Sequence, residues 1–388
     1  MASHEHEELM KRAEYALATL QPELAVKFYE RALEATPDAT PAMDALGELL
    51  LNTGDGERAY ALFERSAKLA PDMGATKWLY LGQLSEGWQS LQHFSKGAEL
   101  LQEELGARRI TPCLREPDRK EGEEVGGKGM DDEAFAILNQ LVSTHCSIAD
   151  LYLTDLCFEE DAEARCQAAL DEALRLDVGG SPEVTQACAN LRLSQKRGQE
   201  AAALMIETVK RLGACQQDDV EEDDEEEGEG GEGAGQEIRG LQLPTMMFRL
   251  QTAKLLLECQ AYNKKCAKEA VRVLEACKCE DDENVEVWYL LGVAYSRQRK
   301  PDVGMAKAHL LHAQQALRKM QQIDGDREKA DAYGEQLRLV EEQLEVLRGA
   351  EGEGIARCET AAVGTGGDEP SSQSSSDEDD SGREEMQA

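Results

Sequence analysis

Four histidines fall in stretches of helical pattern, His93, His145, His309 and His312, and imidazole is the side chain best suited to proton transfer and metal binding near neutral pH. None sits in a metal-protease or hydrolase motif. Cys259, Cys266 and the pair Cys277-Lys-Cys279 could supply sulfur to zinc. Their spacing fits none of the usual paired-cysteine arrangements, and Cys266 and Cys277 fall on the packing face of a helical hairpin, the place of small buried side chains. Gly122-Glu-Glu-Val-Gly-Gly-Lys128 has the spacing of a phosphate-cradling loop, but Gly129 stands where a hydroxyl must hold magnesium and no strand precedes it. No converging catalytic constellation emerges. The chain reads as a non-enzyme without cofactor or metal.

The remaining chemistry is charge. In 388 residues, 42 Lys and Arg stand against 78 Asp and Glu, a net charge of -36. Such an excess disfavours nucleic acid and anionic membranes as direct partners and favours a basic one. No apolar run reaches the roughly 18 to 20 residues that span a bilayer, and Met1-Ala-Ser-His-Glu-His-Glu-Glu8 lacks the basic and apolar pattern of a signal peptide. The expectation is an intracellular chain. Its eleven cysteines, scattered through helical positions such as Cys146, Cys166 and Cys188, are expected to be buried thiols rather than disulfides.

The elements that must present this charge are legible in a recurring pattern. In Trp288-Tyr-Leu-Leu-Gly-Val-Ala-Tyr295, helical spacing puts Trp288, Leu291, Gly292 and Tyr295 on one face. Ala25, Tyr29, Ala32 and Pro37 are followed about 34 residues later by Ala59, Phe63, Ser66 and Pro71, and Leu46-Gly47 recurs as Leu81-Gly82 behind Trp78. This is the pattern of the tetratricopeptide repeat, in which one helical hairpin buries its apolar face only by stacking on the next. The sequence therefore predicts an all-α superhelical solenoid of about seven helical hairpins plus a C-terminal capping helix.

Three hairpins are expected from Glu5 to Leu105, the third compressed because Ser90, Phe94 and Gly97 follow Trp78 closely. A Pro, Gly and charge-rich stretch, 106–130, reads as an inserted loop. Helical pattern resumes with Asp131 as a candidate N-cap, runs to about Thr154, and returns with Cys166, Leu170 and Ala173. Ser181-Pro182-Glu183 opens a fifth hairpin, completed by Ala201, Met205 and Thr208. The acidic stretch 216–240 reads as a disordered loop, since like charges at that density repel one another. A sixth hairpin carries Ala253, Leu256, Ala270, Leu274 and Cys277, and the Trp288 unit closes with Ala306, Leu310 and Ala313. A helix over about Lys329 to Arg348 would cap the solenoid, 1–349. The rest, 350–388, reads as a disordered acidic tail, in which Ser374, Ser375 and Ser376 ahead of carboxylates could accept phosphate from acidophilic kinases.

In such a solenoid the first helices line the concave side. Counting from the Leu-Gly positions, Glu14, Asp44, Glu48, Gln83, Glu86, Asp150, Asn190 and Tyr289 look into the groove, with Asp155, Glu159 and Glu160 nearby. Carboxylates accept paired hydrogen bonds from Arg and attract Lys, so an extended basic segment suits this surface. Ordinary solvated faces, or a scaffold without preference for basic ligands, remain open readings. A clamp for the carboxylate tails of heat-shock chaperones would set Lys and Asn where Met10, Glu14, Asp44 and Glu48 stand.

Lys77-Trp-Leu-Tyr-Leu-Gly-Gln-Leu-Ser85, Ala149-Asp-Leu-Tyr-Leu-Thr-Asp-Leu-Cys-Phe158 and Ser194-Gln-Lys-Arg197 with Glu200-Ala201 resemble the dedicated assembly chaperones of large-subunit ribosomal protein four, over most of Lys11 to about Leu317. The resemblance implies a protein of cytoplasm and nucleus, and the chain is expected to be a monomer. It would take the long internal loop of a newly made basic ribosomal protein into its concave groove and keep that protein soluble until it joins the pre-60S particle. The stretch at Gly106 to Gly129 and the length of the acidic segment at Asp218 depart from the family pattern.

Overall fold

The computed structural model of the chain describes residues 2–108, 132–214, 243–323 and 327–363. Among them it forms fifteen helices and no strand. Fourteen pair into seven hairpins: α1 (Ala2–Ala18) with α2 (Pro22–Ala35), α3 (Thr40–Asn52) with α4 (Gly56–Leu69), and α5 (Ala75–Gln83) with α6 (Gly87–Ala107). After the first insert come α7 (Asp132–Leu153) with α8 (Ala162–Leu176) and α9 (Pro182–Ser194) with α10 (Gly198–Ala214). After the acidic stretch come α11 (Met246–Cys259) with α12 (Lys265–Glu280) and α13 (Val285–Arg297) with α14 (Val303–Ile323); α15 is Arg327–Val363. Most of the inserted loop 106–130, all of the acidic loop 216–240, Asp131 and Ser374 to Ser376 lie outside the described residues.

Local chemistry sets the helix starts. Asp55 accepts from the Arg58 amide at 3.3 Å, the Ser181 hydroxyl from Glu183 at 3.2 Å and Asn284 from Glu286 at 3.1 Å, while Pro22 and Pro182 occupy the first turn, where no amide proton is needed. Three tight turns share one geometry. Leu20, Gly54 and Lys196 each take the left-handed conformation (φ 56°, 87° and 60°), and the next amide, of Gln21, Asp55 or Arg197, reaches back to Ala16, Leu50 or Arg192 at 2.8 to 2.9 Å. That hydrogen bond satisfies a carbonyl at the end of the first helix.

The chain divides into two compact units, Met1–His309 and Leu310–Ala388. In the first, each helix packs on its partner in the hairpin and then on the first helix of the next, in the order α1, α2, α3 and onward to α13. First helices also touch across units, α7 with α9 and α11 with α13. The core is correspondingly drawn out along the chain, in three clusters from α1 to α5, α5 to α9 and α9 to α13. Trp78 packs against the first two clusters and Leu204 against the last two, so the core is continuous. In the second unit, Glu341 on α15 takes an ion pair from Arg318 at 3.0 Å and a hydrogen bond from Gln314 at 3.1 Å on the last turns of α14.

The Leu-Gly pair has a steric reason. A Cβ added at Gly47 would lie 2.7 Å from the Phe63 ring, and one at Gly82 would lie 2.8 Å from Phe94. Glycine on the first helix is the socket for the aromatic of the second. The third hairpin is compressed because α5 has 9 residues where α3 has 13, so its turn begins directly behind the socket. The recurring tryptophan has an equally local role: the Trp78 indole donates to Pro71 O at 3.0 Å and the Trp288 indole to Asp282 O at 2.6 Å, each tying a first helix to the loop that precedes it. Polar pairs fix the units where apolar packing alone leaves register loose. Arg211 on α10 donates to Asp177 at 3.1 Å and to the Ser181 carbonyl at 3.0 Å, binding the α8–α9 loop.

One boundary differs from expectation. The last helix continues past Gly349 to Val363, into the stretch expected to be disordered tail. The glycines there alternate with alanine, glutamate and arginine, strong helix formers, and an established helix propagates at the cost of about 1 kcal/mol per glycine.

Filling the socket should test the packing argument. Gly82→Ala is expected to lose about 1 to 3 kcal/mol in urea unfolding, and Phe94→Leu in the same chain to recover part of that loss.

Candidate partner-binding surface

The carboxylates expected to line the groove divide by position into three groups. Glu14 on α1 and Glu48 on α3 stand exposed on first helices. Both act on Tyr29, whose hydroxyl is pushed up first by burial and then by these two charges. Glu48 also accepts from the Tyr80 hydroxyl at 3.3 Å, and the Tyr80 ring stacks on Phe63 with centroids 5.1 Å apart. Burial and then Glu48 push the Tyr80 hydroxyl up as well. These two glutamates thus share a negative field over a floor of tyrosines.

Neither Glu14 nor Glu48 forms an ion pair among the described residues, whereas several other acids of the first hairpins are paired. Arg58 reaches Glu30 at 2.6 Å, Arg65 reaches Asp38 at 2.9 Å and Lys68 reaches Glu64 at 2.7 Å. These cations belong to the second helix α4. On α1 itself Lys11 pairs with Glu7 and Arg12 with Glu8, and neither reaches Glu14.

A second group sits in turns rather than on first-helix faces. Gln83 and Glu86 are exposed at the end of α5 and the N-cap of α6. Asp155, Glu159 and Glu160 lie in the α7–α8 turn. Asp155 accepts from the Gly87 amide at 2.8 Å and Glu159 from the Trp88 indole at 3.3 Å, so the turn of one hairpin caps the start of α6 in the hairpin before it. Asp150, one turn earlier on α7, has an edge in water, but surrounding protein desolvates its carboxyl and pushes it up, helped by the Asp155 charge.

The third group is partly buried. Asn190 is half-buried on α9, and Tyr289 is half-buried against the core of the last hairpins. Asp44 departs most from the groove reading. It is half-buried, its Oδ1 sits in the interior without a hydrogen-bond partner, and burial raises its carboxyl against the opposing pull of Ser66 and the Lys77 charge. Lys77, one position from Trp78, is only 2% exposed; its Nζ donates to Ala70 O at 2.6 Å, with Ser66 O at 3.4 Å and Ser66 Oγ at 3.5 Å. A cation at the C-terminal end of α4 satisfies carbonyls that the helix leaves open and complements its dipole. Burial pushes the Lys77 amine down and Asp44 pulls it back. The helical count from Leu46-Gly47 placed Asp44 correctly along α3 but could not register that Lys77 of the next hairpin closes over it.

Three of the four cysteines considered for chemistry are spent on packing. Cys259, Cys266 and Cys277 are fully buried and Cys279 is exposed. Burial pushes the thiols of Cys166 and Cys259 up to about 12 and those of Cys188 and Cys266 up to about 11, which leaves negligible thiolate at neutral pH. Among the described residues no three of His, Cys, Asp and Glu gather as a metal site. His309 stacks on Tyr295 and tilts against Trp288, with centroids 5.3 Å away in each case, and is part of the core of its hairpin. Gly122 to Lys128 lie outside the described residues.

Two outcomes check the Asp44–Lys77 arrangement. Lys77→Met leaves the Ala70 and Ser66 carbonyls unpaired and is expected to cost about 1 to 3 kcal/mol in urea unfolding. Because the Asp44 carboxyl is raised above its ordinary 3.8, the folded chain holds that proton more tightly than the unfolded one; the stability this contributes is present below 3.8 and lost as pH rises through the raised value. The stability difference between Asp44→Asn and the native chain should therefore move in favour of the variant from about pH 3.5 to about pH 7, read from urea midpoints.

No protein-family model matches the chain. It is 27% identical over 256 residues to the probable assembly chaperone of rpl4 from Schizosaccharomyces pombe, covering 65% of this chain and 62% of that one. It is 28% identical over 298 residues to the probable assembly chaperone of rpl4 from Emericella nidulans, covering 73% and 63%. The chain thus spans a little under two thirds of the length of the curated relatives it matches. Its structure is similar to the solved Assembly Chaperone of RpL4 (Acl4), residues 1–338, with a TM-score of 0.57 and 26% identity over 75% of this chain and 96% of that one. The helical hairpins, the glycine sockets and these likenesses converge: the chain has the fold of a tetratricopeptide-type helical solenoid and is similar in sequence and structure to the assembly chaperones of rpl4.

Proposed function

We propose that the chain is a non-enzymatic chaperone that holds a newly made basic ribosomal protein, of the rpl4 type for which its relatives are named, and keeps it soluble until it enters the large ribosomal subunit. The observation that carries this reading is the pair Glu14 and Glu48, exposed on first helices, sharing a field at Tyr29 and left without ion pairs among the described residues. A solenoid offers its first helices as an extended concave surface, and an unneutralised acidic one suits a chain rich in Lys and Arg. The proposed ligand is the long internal loop of the client. The chaperone acts as a monomer in cytoplasm and nucleus, without touching nucleic acid, whose phosphates a net charge of -36 repels. The same glutamates oppose a clamp for carboxylate tails, which needs cations at those positions.

Binding should be electrostatic in its kinetics. Affinity for purified rpl4 is expected to fall as salt rises through about 0.1 to 0.3 M, where exposed charges are screened beyond about 10 Å. Glu14→Lys with Glu48→Lys should slow association about tenfold while the circular dichroism spectrum stays unchanged. An affinity indifferent to both salt and these substitutions would rule out the groove as the site. Asp44 is left out of this variant, because a lysine there would face Lys77 in the interior and confuse folding with binding.

A further inference from the structure

We propose that the edge of the solenoid at the α5–α6 and α7–α8 turns is a second docking site, which takes an apolar side chain flanked by Arg or Lys from a basic protein segment. This rests on the reading that the chain holds a basic client, and adds to the charged groove a surface that recognises apolar character.

The α7–α8 turn, 154–161, is longer than the turns at 53–55, 84–86 and 195–197. It is nonetheless firmly built. Leu156 N bonds to Leu151 O at 2.8 Å, Glu159 N to Leu156 O at 3.1 Å and Ala162 N to Glu159 O at 3.1 Å, with the Leu156 side chain anchored in the core at 4% exposure. Asp155 and Glu159 fasten the turn to Gly87 and Trp88 of α6. On this braced loop Phe158 is 98% exposed. A flexible loop would fold such a ring away; a braced one holds it in water, already ordered for a partner to bury, which removes much of the entropic cost of binding.

Trp88 donates its indole N–H to Glu159, the residue after Phe158, and is 45% exposed, with the Arg165 guanidinium 6.0 Å from its ring centre. Arg165 is itself held by Asp161 at 2.7 Å and by the Tyr152 hydroxyl at 3.3 Å. The remaining charge on the edge is negative: Glu86 and Glu160 are exposed and form no ion pair among the described residues. Two aromatic surfaces bordered by free carboxylates match an aliphatic or aromatic side chain with cations on either side. A purely charged segment would leave Phe158 in water, and a second copy of this chain would bring carboxylates against carboxylates.

The test uses the full chain and two fluorescein-labelled synthetic peptides of equal length and charge, one placing serine and the other leucine between its arginines, followed by anisotropy. The native chain is expected to bind the leucine peptide about tenfold more tightly, a difference of about 1.4 kcal/mol. Phe158→Ala should erase that preference, and Met73→Ala, which removes a side chain 71% exposed elsewhere, should keep it. Equal binding of both peptides by the native chain, or a preference that survives Phe158→Ala, overturns the edge site. A dimer in sedimentation that dissociates on Phe158→Ala also overturns it, in favour of a contact between copies. Glu14→Lys with Glu48→Lys should weaken both peptides alike and leave their ratio; if that variant binds like the native chain, the groove reading fails while the edge site stands.

Discussion

A two-helix hairpin cannot enclose its own apolar face, and each structural feature of this chain follows from how that deficit is met. The solution is a close approach at one point in the hairpin, where Phe63 enters the socket at Gly47 and Phe94 the socket at Gly82. With the helices locked together there, alanines at 0% exposure such as Ala13, Ala25, Ala32 and Ala59 let the neighbours come near enough to share one core. The cluster from α1 to α5 passes into the next through Trp78, so the unit of stability is the junction between hairpins as much as the hairpin itself. An architecture of this kind lengthens without a larger core.

That economy explains how one molecule can carry so many carboxylates and still fold. Glu30, Asp38 and Glu64 are matched by Arg58, Arg65 and Lys68, and several acids at junctions are put to structural use. Asp177 clasps Arg211, Asp155 caps α6, and Asp44 sits with Ser66 and Lys77 between the second and third hairpins. Glu14 and Glu48 along first helices, and Glu86 and Glu160 at the turn edge, are among the exposed acids without an ion pair in the described residues. A carboxylate matters to a partner only when the fold has not already used it.

Carboxylates on this chain look alike in sequence, and their separation into used and unused depends on contacts between residues far apart. Asp155 and Gly87 are joined across a segment that contains the whole first insert, and Lys77 reaches a helix end in the preceding hairpin. A helical wheel drawn on α3 alone shows Asp44 beside Glu48 with nothing to tell them apart. Phe158 lies within the stretch that resembles the chaperone family, yet its exposure follows from the path of the α7–α8 turn, which no periodicity describes.

Sequence alone determined the elements and their order: seven hairpins at their positions, the compressed third one, the socket glycines and the burial of Cys166, Cys188, Cys266 and Cys277. These are set by interactions within a turn or two of helix, or by a repeat that states the same contact more than once, and both are written in local spacing. Tertiary structure alone decided which charges are free, where the aromatic edge lies and that a lysine is buried at the end of α4. Those outcomes depend on the distance between side chains of different hairpins, and a charge near a partner behaves oppositely from the same charge in water.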